Sequence, residues 1–380
     1  MILAPGLFEW LRWLTCIGVI LFAPVVAQAH ELPLEKLNLP PGFEISIYAE
    51  VINPRQLARS PSGVVYAGSR RAGNLYALVD ADGDQQAEQV ITLDTKLQYP
   101  SGIAYRDGDL YVGAISEILV YRDIDEKLAT PPEPEVLYDQ LPTEQHHGWK
   151  YLGFGPDDQL YFNISAPCNI CLEENPWFAS IMRMDLTQSP LAPEVYAHGV
   201  RNTVGFTWEP ATGDLWFTDN GRDWMGDELP PCELNHAPRA GLHFGYPFIH
   251  GNAISDPEFG AGQSPADYVA PALELGAHVA PLGLIFYEGD MLPPSLHGAI
   301  LIAEHGSWNR TPEAGHVGYR ITTAIRDEQG TLSYATLIDG WLNGSTAWGR
   351  PADLLMLPDG SLLIADDLGN AVYRLTYTGS

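Results

Sequence analysis

The chain has 380 residues, enough for two or three ordinary domains and equally for one large β domain. Its 20 Lys and Arg face 48 Asp and Glu, a formal charge of -28. Phosphate groups are bound by neutralising them with basic side chains, so nucleic acid and acidic lipid surfaces are excluded as partners. The 37 glycines and 31 prolines favour many short strands joined by turns over long helices.

In chain order, Met1–Ala29 reads as a secretory signal peptide. Trp13 to Val26 is an apolar run preceded by Arg12 and followed by the small-x-small cleavage pattern Ala27-Gln-Ala29. The run is shorter than the roughly 20 apolar residues of a membrane span. The expectation is cleavage, with 1–29 removed, 30–380 folding as a single domain, and no stable membrane span remaining. Such a protein is periplasmic or secreted.

Beyond the signal, one phrase recurs: a tight Asp- or Gly-bearing turn feeding a short apolar strand. Its copies are Ser60–Tyr66, Arg106–Val112, Gly155–Tyr161, Pro210–Trp216, Leu296–Ile302 and Leu357–Leu363. A second strand with aromatic or basic alternation follows most of them, as in Asn74–Leu78, Ile118–Arg122 and Ala371–Tyr377. Six copies at nearly even spacing predict an all-β, six-bladed β-propeller, in which each sheet covers its neighbour's apolar face. Phe43–Tyr48 is expected to pair into the last blade and close the ring. The longer gap from Glu228 to Pro293, rich in Pro, Gly and His, reads as long loops over one face.

Polar clusters sit between these strands. Asp80-Ala-Asp-Gly-Asp84 with Glu88 has the look of a short calcium loop, but it lacks the distal bidentate Glu of an EF-hand and reads rather as a solvated hairpin tip. Gln145-His-His-Gly-Trp-Lys150 precedes the third copy; adjacent residues of a strand point to opposite faces, so at most one of the two histidines can face the channel. Cys168-Asn-Ile-Cys171 reads as a short disulfide, with a redox pair or half of a metal site as alternatives, and Cys232 is left free or competing for a partner. Arg201-Asn202, then Asp219-Asn-Gly-Arg-Asp223, flank the strands of the fourth copy. Glu304-His-Gly-Ser-Trp-Asn-Arg310 follows the fifth copy, and Gly349-Arg-Pro-Ala-Asp353 precedes the sixth in the place that Arg201-Asn202 holds in the fourth. Repeats bring equivalent positions to one face, so these loops should meet as a cationic pocket suited to an anionic ligand.

Taken together, Val200-Arg-Asn202, Asp219-Asn-Gly-Arg-Asp-Trp224, Glu228–Asn235, His243-Phe-Gly-Tyr-Pro247 and His305-Gly-Ser-Trp-Asn-Arg310 resemble the sorbosone dehydrogenase branch of the quinoprotein sugar dehydrogenases. The likeness runs from about Leu39 to Tyr377. It implies a six-bladed propeller that binds pyrroloquinoline quinone (PQQ) and Ca2+ and oxidises a sugar or sugar aldehyde by hydride transfer to the quinone. By the same resemblance His147 is the general base, and Arg201, Asn202, His305, Arg310 and Arg350 contact the cofactor. Gly221 and Arg222 offer main-chain carbonyls to the metal. Where soluble glucose dehydrogenase orients its base with an Asp, Ser165-Ala166 stand here. Expected partners are a small carbohydrate substrate and a separate electron acceptor, a quinone or a cytochrome. Competing readings are a calcium-dependent propeller lactonase or hydrolase, and a non-catalytic carbohydrate-binding propeller.

Overall fold

The second strand of each blade is mostly apolar and buried almost end to end, and the computed structural model, which describes residues 32–379, shows why. Leu160–Ile164 and Leu215–Asp219, for example, are buried along their whole length, because each lies inside a sheet covered on both faces. Six such antiparallel sheets follow one another, beginning at Pro54–Arg59, Gly102–Arg106, Leu152–Phe154, Phe206–Trp208, Pro281–Phe286 and Pro351–Met356. These sheets are blades one to six of a β-propeller.

The apolar cores lie between blades. Val65 and Leu78 of blade one meet Leu363 and Val372 of blade six, while Tyr66 and Leu75 on the other face of blade one meet Leu110 and Tyr121 of blade two. The inner strand Pro54–Arg59 packs against both Pro351–Met356 and Gly102–Arg106, so the ring is closed. As expected, Phe43–Glu50 is the outermost strand of blade six, antiparallel to Ala371–Tyr377 with Phe43 opposite Tyr377. That pairing covers an edge that would otherwise be open. The expected signal peptide, 1–29, lies outside the described residues. No described helix is long and apolar enough to cross a membrane.

The recurring phrase is the hairpin between the first and second strands of each blade. In blade two, Asp107 and Gly108 have φ of 52° and 94°, the two left-handed residues that a two-residue hairpin needs.

The gap between the fourth and fifth copies departs from expectation. Pro231–Ala237 and Leu273–Ala277 are the third and fourth strands of blade four, and Pro281–Phe286 opens blade five. Only the excursion between Ala237 and Leu273 leaves the blade. Within it Leu242–His243 adds a fifth, parallel strand to blade three, and Ile249–His250 pairs with Ile254–Ser255. The strands were hidden because Pro231 and the acidic and polar residues Glu233, Asn235 and His236 interrupt any apolar alternation.

Chain direction divides the loops between the two ends of the propeller. Loops joining second to third strands, and links from one blade to the next, lie at one end, the mouth. Hairpins joining first to second and third to fourth strands lie at the other.

Candidate functional site

All eight residues expected at the site fall in mouth loops. His147, Arg201, Asn202 and Arg350 lie in links between blades, and Gly221, Arg222, His305 and Arg310 in second-to-third-strand loops. The Asp80–Glu88 turn joins the third and fourth strands of blade one, at the far end. Its carboxylate oxygens lie within 4.8 Å of one another, yet they accept backbone N–H groups of their own turn, from Ala81, Gly83 and Gln85 among others. A far-end depression of about 890 Å3 contains Glu209, Asp214 and His236, with the Glu209 carboxylate already bonded to Arg326, Trp216 and Thr212.

His147 is buried in a turn with φ 53°, so strand alternation does not apply to it. The rings of His146 and His147 lie on the same side, 4.0 Å apart, His146 exposed and His147 covered. Nδ1 of His147 is 2.9 Å from the Ala166 carbonyl. A carbonyl only accepts, so Nδ1 carries the proton and Nε2 keeps its lone pair. Burial, reinforced by the Arg201 charge, holds the imidazole well below its ordinary pKa.

Arg201 and Asn202 are set by an aspartate at the end of a strand. Asp219 accepts the Arg201 N–H at 2.8 Å and the Asn202 N–H at 2.6 Å. Blade six repeats the device, with Asp366 accepting the Arg350 N–H at 2.7 Å. This is the equivalence that the repeats predicted. The Arg201 guanidinium donates to Asn169 O, Asn169 Oδ1 and Asn220 O at 2.8, 2.8 and 3.1 Å, and reaches Asp223 Oδ2 at 3.3 Å. The buried Asn202 Oδ1 has no donor. Arg350 uses Nη2 on Ser307 O and Tyr319 Oη, while its Nε and Nη1 meet no acceptor among the described residues.

No described donor reaches the Gly221 or Arg222 carbonyl, whereas the flanking Asn220 and Asp223 carbonyls accept from Arg201 and Asn169. Two free carbonyls and an orphaned amide oxygen are hard oxygen donors of the kind Ca2+ takes. The Arg222 side chain turns away into a buried pair with Asp256 at 2.6 Å, and His250 bonds the same carboxylate at 2.9 Å. The excursion after blade four therefore anchors this turn. Gly221 is tightly enclosed: a Cβ there would lie 2.8 Å from Pro231 O.

His305 Nε2 donates to Asp367 Oδ1 at 2.7 Å, and Arg55 meets Oδ2 at 2.9 Å. Burial outweighs Asp367 and keeps the imidazole neutral, with a pKa of about 4. Arg310 donates instead to Gly315 O, Asp227 O and Glu228 Oε1, so it latches two mouth loops together.

Four mouth residues have no role assigned from the sequence: Arg55, Arg70, Asp367, and Trp149 beside the paired histidines. The Arg70 guanidinium lies 4.1 Å over the Trp149 ring, and Arg70 Nε and Trp149 Nε1 are buried donors without acceptors. Burial and the neighbouring Arg55 lower Arg70 to about 10, leaving it charged at neutral pH. Arg70 and Asp367 each directly follow a second strand, as Asn220 and His305 do. Alignment of the strand ends would have exposed them.

Cys168 and Cys171 form a disulfide, and Cys232 is free and buried. Burial raises the Cys232 thiol to about 11. Cys232 should therefore resist Ellman's reagent in the native protein and react on unfolding; labelling without denaturant would contradict its enclosure.

Known proteins share this framework. The chain is 30% identical over 375 residues to an uncharacterised protein of Borreliella burgdorferi, covering 94% of this chain and 95% of that one. The PQQ domain of Coprinopsis cinerea pyranose dehydrogenase in its holo form superposes with a TM-score of 0.75 at 18% identity, covering 90% of this chain and 97% of that domain. A PQQ-bound aldose sugar dehydrogenase of Streptomyces coelicolor gives a TM-score of 0.62 at 18% identity, covering 89% and 99%. The glucose/sorbosone dehydrogenase family model matches residues 183–306, the segment that carries Arg201, Asn202, the Asn220–Asp223 turn and His305. The segment 183–306 thus matches the glucose/sorbosone dehydrogenase family, within a propeller fold that the solved PQQ dehydrogenase structures share.

Proposed function

We propose that the protein is an exported sugar or sugar-aldehyde dehydrogenase that uses PQQ and Ca2+ at the propeller mouth. One observation carries the reading: a neutral imidazole with a free Nε2 stands in a ring of arginines that retains unpaired donors. The resting charge and the orphaned Arg70 Nε and Trp149 Nε1 suit a flat polycarboxylate. Arg201, Arg350, Asn202 and His305 would hold it, with Arg310 securing the loops. The Gly221 and Arg222 carbonyls would hold the metal. Bound there, PQQ supplies a two-electron acceptor and Ca2+ a Lewis acid.

The chain's own part is proton transfer and orientation. His147 Nε2 accepts the proton of the anomeric or aldehyde-hydrate hydroxyl, and the Ala166 carbonyl fixes the tautomer that makes this possible. Because burial keeps His147 neutral, no proton has to be removed from it before turnover. Export and removal of 1–29 agree with a disulfide, which persists in oxidising compartments. Electrons then leave to a separate quinone or cytochrome.

The test is titration of purified apoprotein with PQQ and Ca2+, followed by dye reduction across a sugar panel. Saturable binding with turnover on at least one sugar or sugar aldehyde is expected. No PQQ binding would refute the reading, and binding without turnover on any sugar would favour a non-catalytic propeller.

A further inference from the structure

Between the second and third strands of blade three the chain closes a four-residue ring, Cys168-Asn-Ile-Cys171, through its disulfide. Polar groups of this ring, and of Ala166 two residues before it, face two partners at the mouth. Ala166 accepts from His147 through its carbonyl at 2.9 Å and donates its N–H to Arg201 O at 2.8 Å. Asn169 meets the Arg201 guanidinium with two acceptors, its main-chain O and its Oδ1, each at 2.8 Å. The same side chain takes the Asp223 N–H at 2.8 Å and donates to Asp223 O at 3.1 Å. Tyr246, from the excursion after blade four, fastens the loop from behind, its Oη taking the Cys171 N–H at 3.0 Å.

The acceptors offered to Arg201 matter for what they are. Three of its four hydrogen bonds end on neutral carbonyl oxygens, and only the longest, at 3.3 Å, ends on a carboxylate. A carboxylate in bidentate contact would fix the guanidinium equally well but would also cancel its charge. Neutral acceptors fix the orientation and leave the charge for an incoming anion. Asp223 is near enough to take over if they are lost.

We infer that the segment Ala166–Cys171, closed at its end by the disulfide, is a clamp that holds the base and the arginine in register, with Asn169 as the positioning residue that keeps Arg201 charged toward the mouth. The inference rests on the proposed function only in taking the anionic ligand to be PQQ.

Apoprotein of the wild type, Asn169→Ala, Asn169→Asp and the double variant Cys168→Ser/Cys171→Ser would be titrated with PQQ by quenching of tryptophan fluorescence, with melting temperatures recorded alongside. Asn169→Ala should bind about 10–100-fold more weakly, as loss of a charge-assisted hydrogen bond implies, with little change in melting temperature. Asn169→Asp keeps both acceptors but brings a negative charge to Arg201, and should also weaken binding at least tenfold. The change also removes the Nδ2 donor to Asp223 O, so weaker binding without a matching fall in melting temperature is the mark of the charge effect. The double serine variant should lose both PQQ affinity and turnover. A crystal structure of apo Asn169→Ala should show Arg201 moved onto Asp223, a readout independent of the cofactor.

Failure of the wild type to bind PQQ would refute the functional reading alone. Arg201 unmoved in that crystal, or both Asn169 variants within twofold of wild type, would overturn the clamp. A double serine variant with unchanged affinity and turnover would overturn the disulfide's part in it.

Discussion

His147→Ala should lower turnover by about 10²–10⁴-fold, the range that a positioned general base contributes, while PQQ affinity stays within a few-fold of wild type. The separation follows from geometry. The imidazole is held by a main-chain carbonyl, and its free nitrogen is an acceptor, so it offers no donor to an anionic cofactor. The positive groups that would attract one, Arg55, Arg70, Arg201 and Arg350, remain. Dye reduction gives the first quantity and fluorescence titration the second. Retained turnover would show that the proton leaves by another route. The pH profile adds a check. Because burial depresses His147, the base stays deprotonated below the ordinary imidazole range, and activity should persist on the acid side of pH 6.5 until the lowered value is reached. An ordinary, exposed histidine would give a decline centred near pH 6.5.

The parts of this molecule that were legible in sequence are those in which a local pattern repeats. A turn followed by an apolar strand is written within a few residues, so blade number, ring closure by Phe43–Glu50 and the end at which Arg201, His305 and Arg350 emerge could all be read. What escaped depends on tertiary pairing. The partner of His147 is a carbonyl 19 residues away, and a main-chain acceptor leaves no side-chain signature. Arg310 has the residue type of an anion ligand, but its donors are engaged by Asp227, Glu228 and Gly315, which only the fold brings to it. Strand alternation does not govern the adjacent histidines, because φ of 53° at His147 places it in a turn. The strands of blade four's second half were masked because buried polar residues such as Glu233 and Asn235 find partners there instead of alternating with apolar ones.

Asp367→Ala should destabilise the fold by about 3–5 kcal/mol, the cost of removing one partner from a buried ion pair. Arg55 and Asp367 have side-chain exposures of only 5% and 6%, so water cannot replace the lost carboxylate. His305 loses its acceptor at the same time. Urea unfolding with an unchanged m-value would measure the effect, and a loss under about 1 kcal/mol would show that the site relaxes around the unpaired guanidinium. The pH dependence distinguishes the two partners. His305 is depressed to about 4, so between that value and about 6.5 the unfolded chain binds a proton that the folded chain refuses. Wild-type stability should accordingly rise with pH across that window, and the variant should keep this limb, because burial and Arg55 still disfavour the imidazolium. Asp367 behaves differently. Burial alone would raise it, but Arg55 and the His305 hydrogen bond outweigh burial and hold the carboxylate below its ordinary value. Its contribution is complete above the unfolded pKa of about 3.9 and is lost as pH falls through the lower folded value. The stability difference between wild type and variant should thus be level from neutrality to about pH 4 and shrink below it.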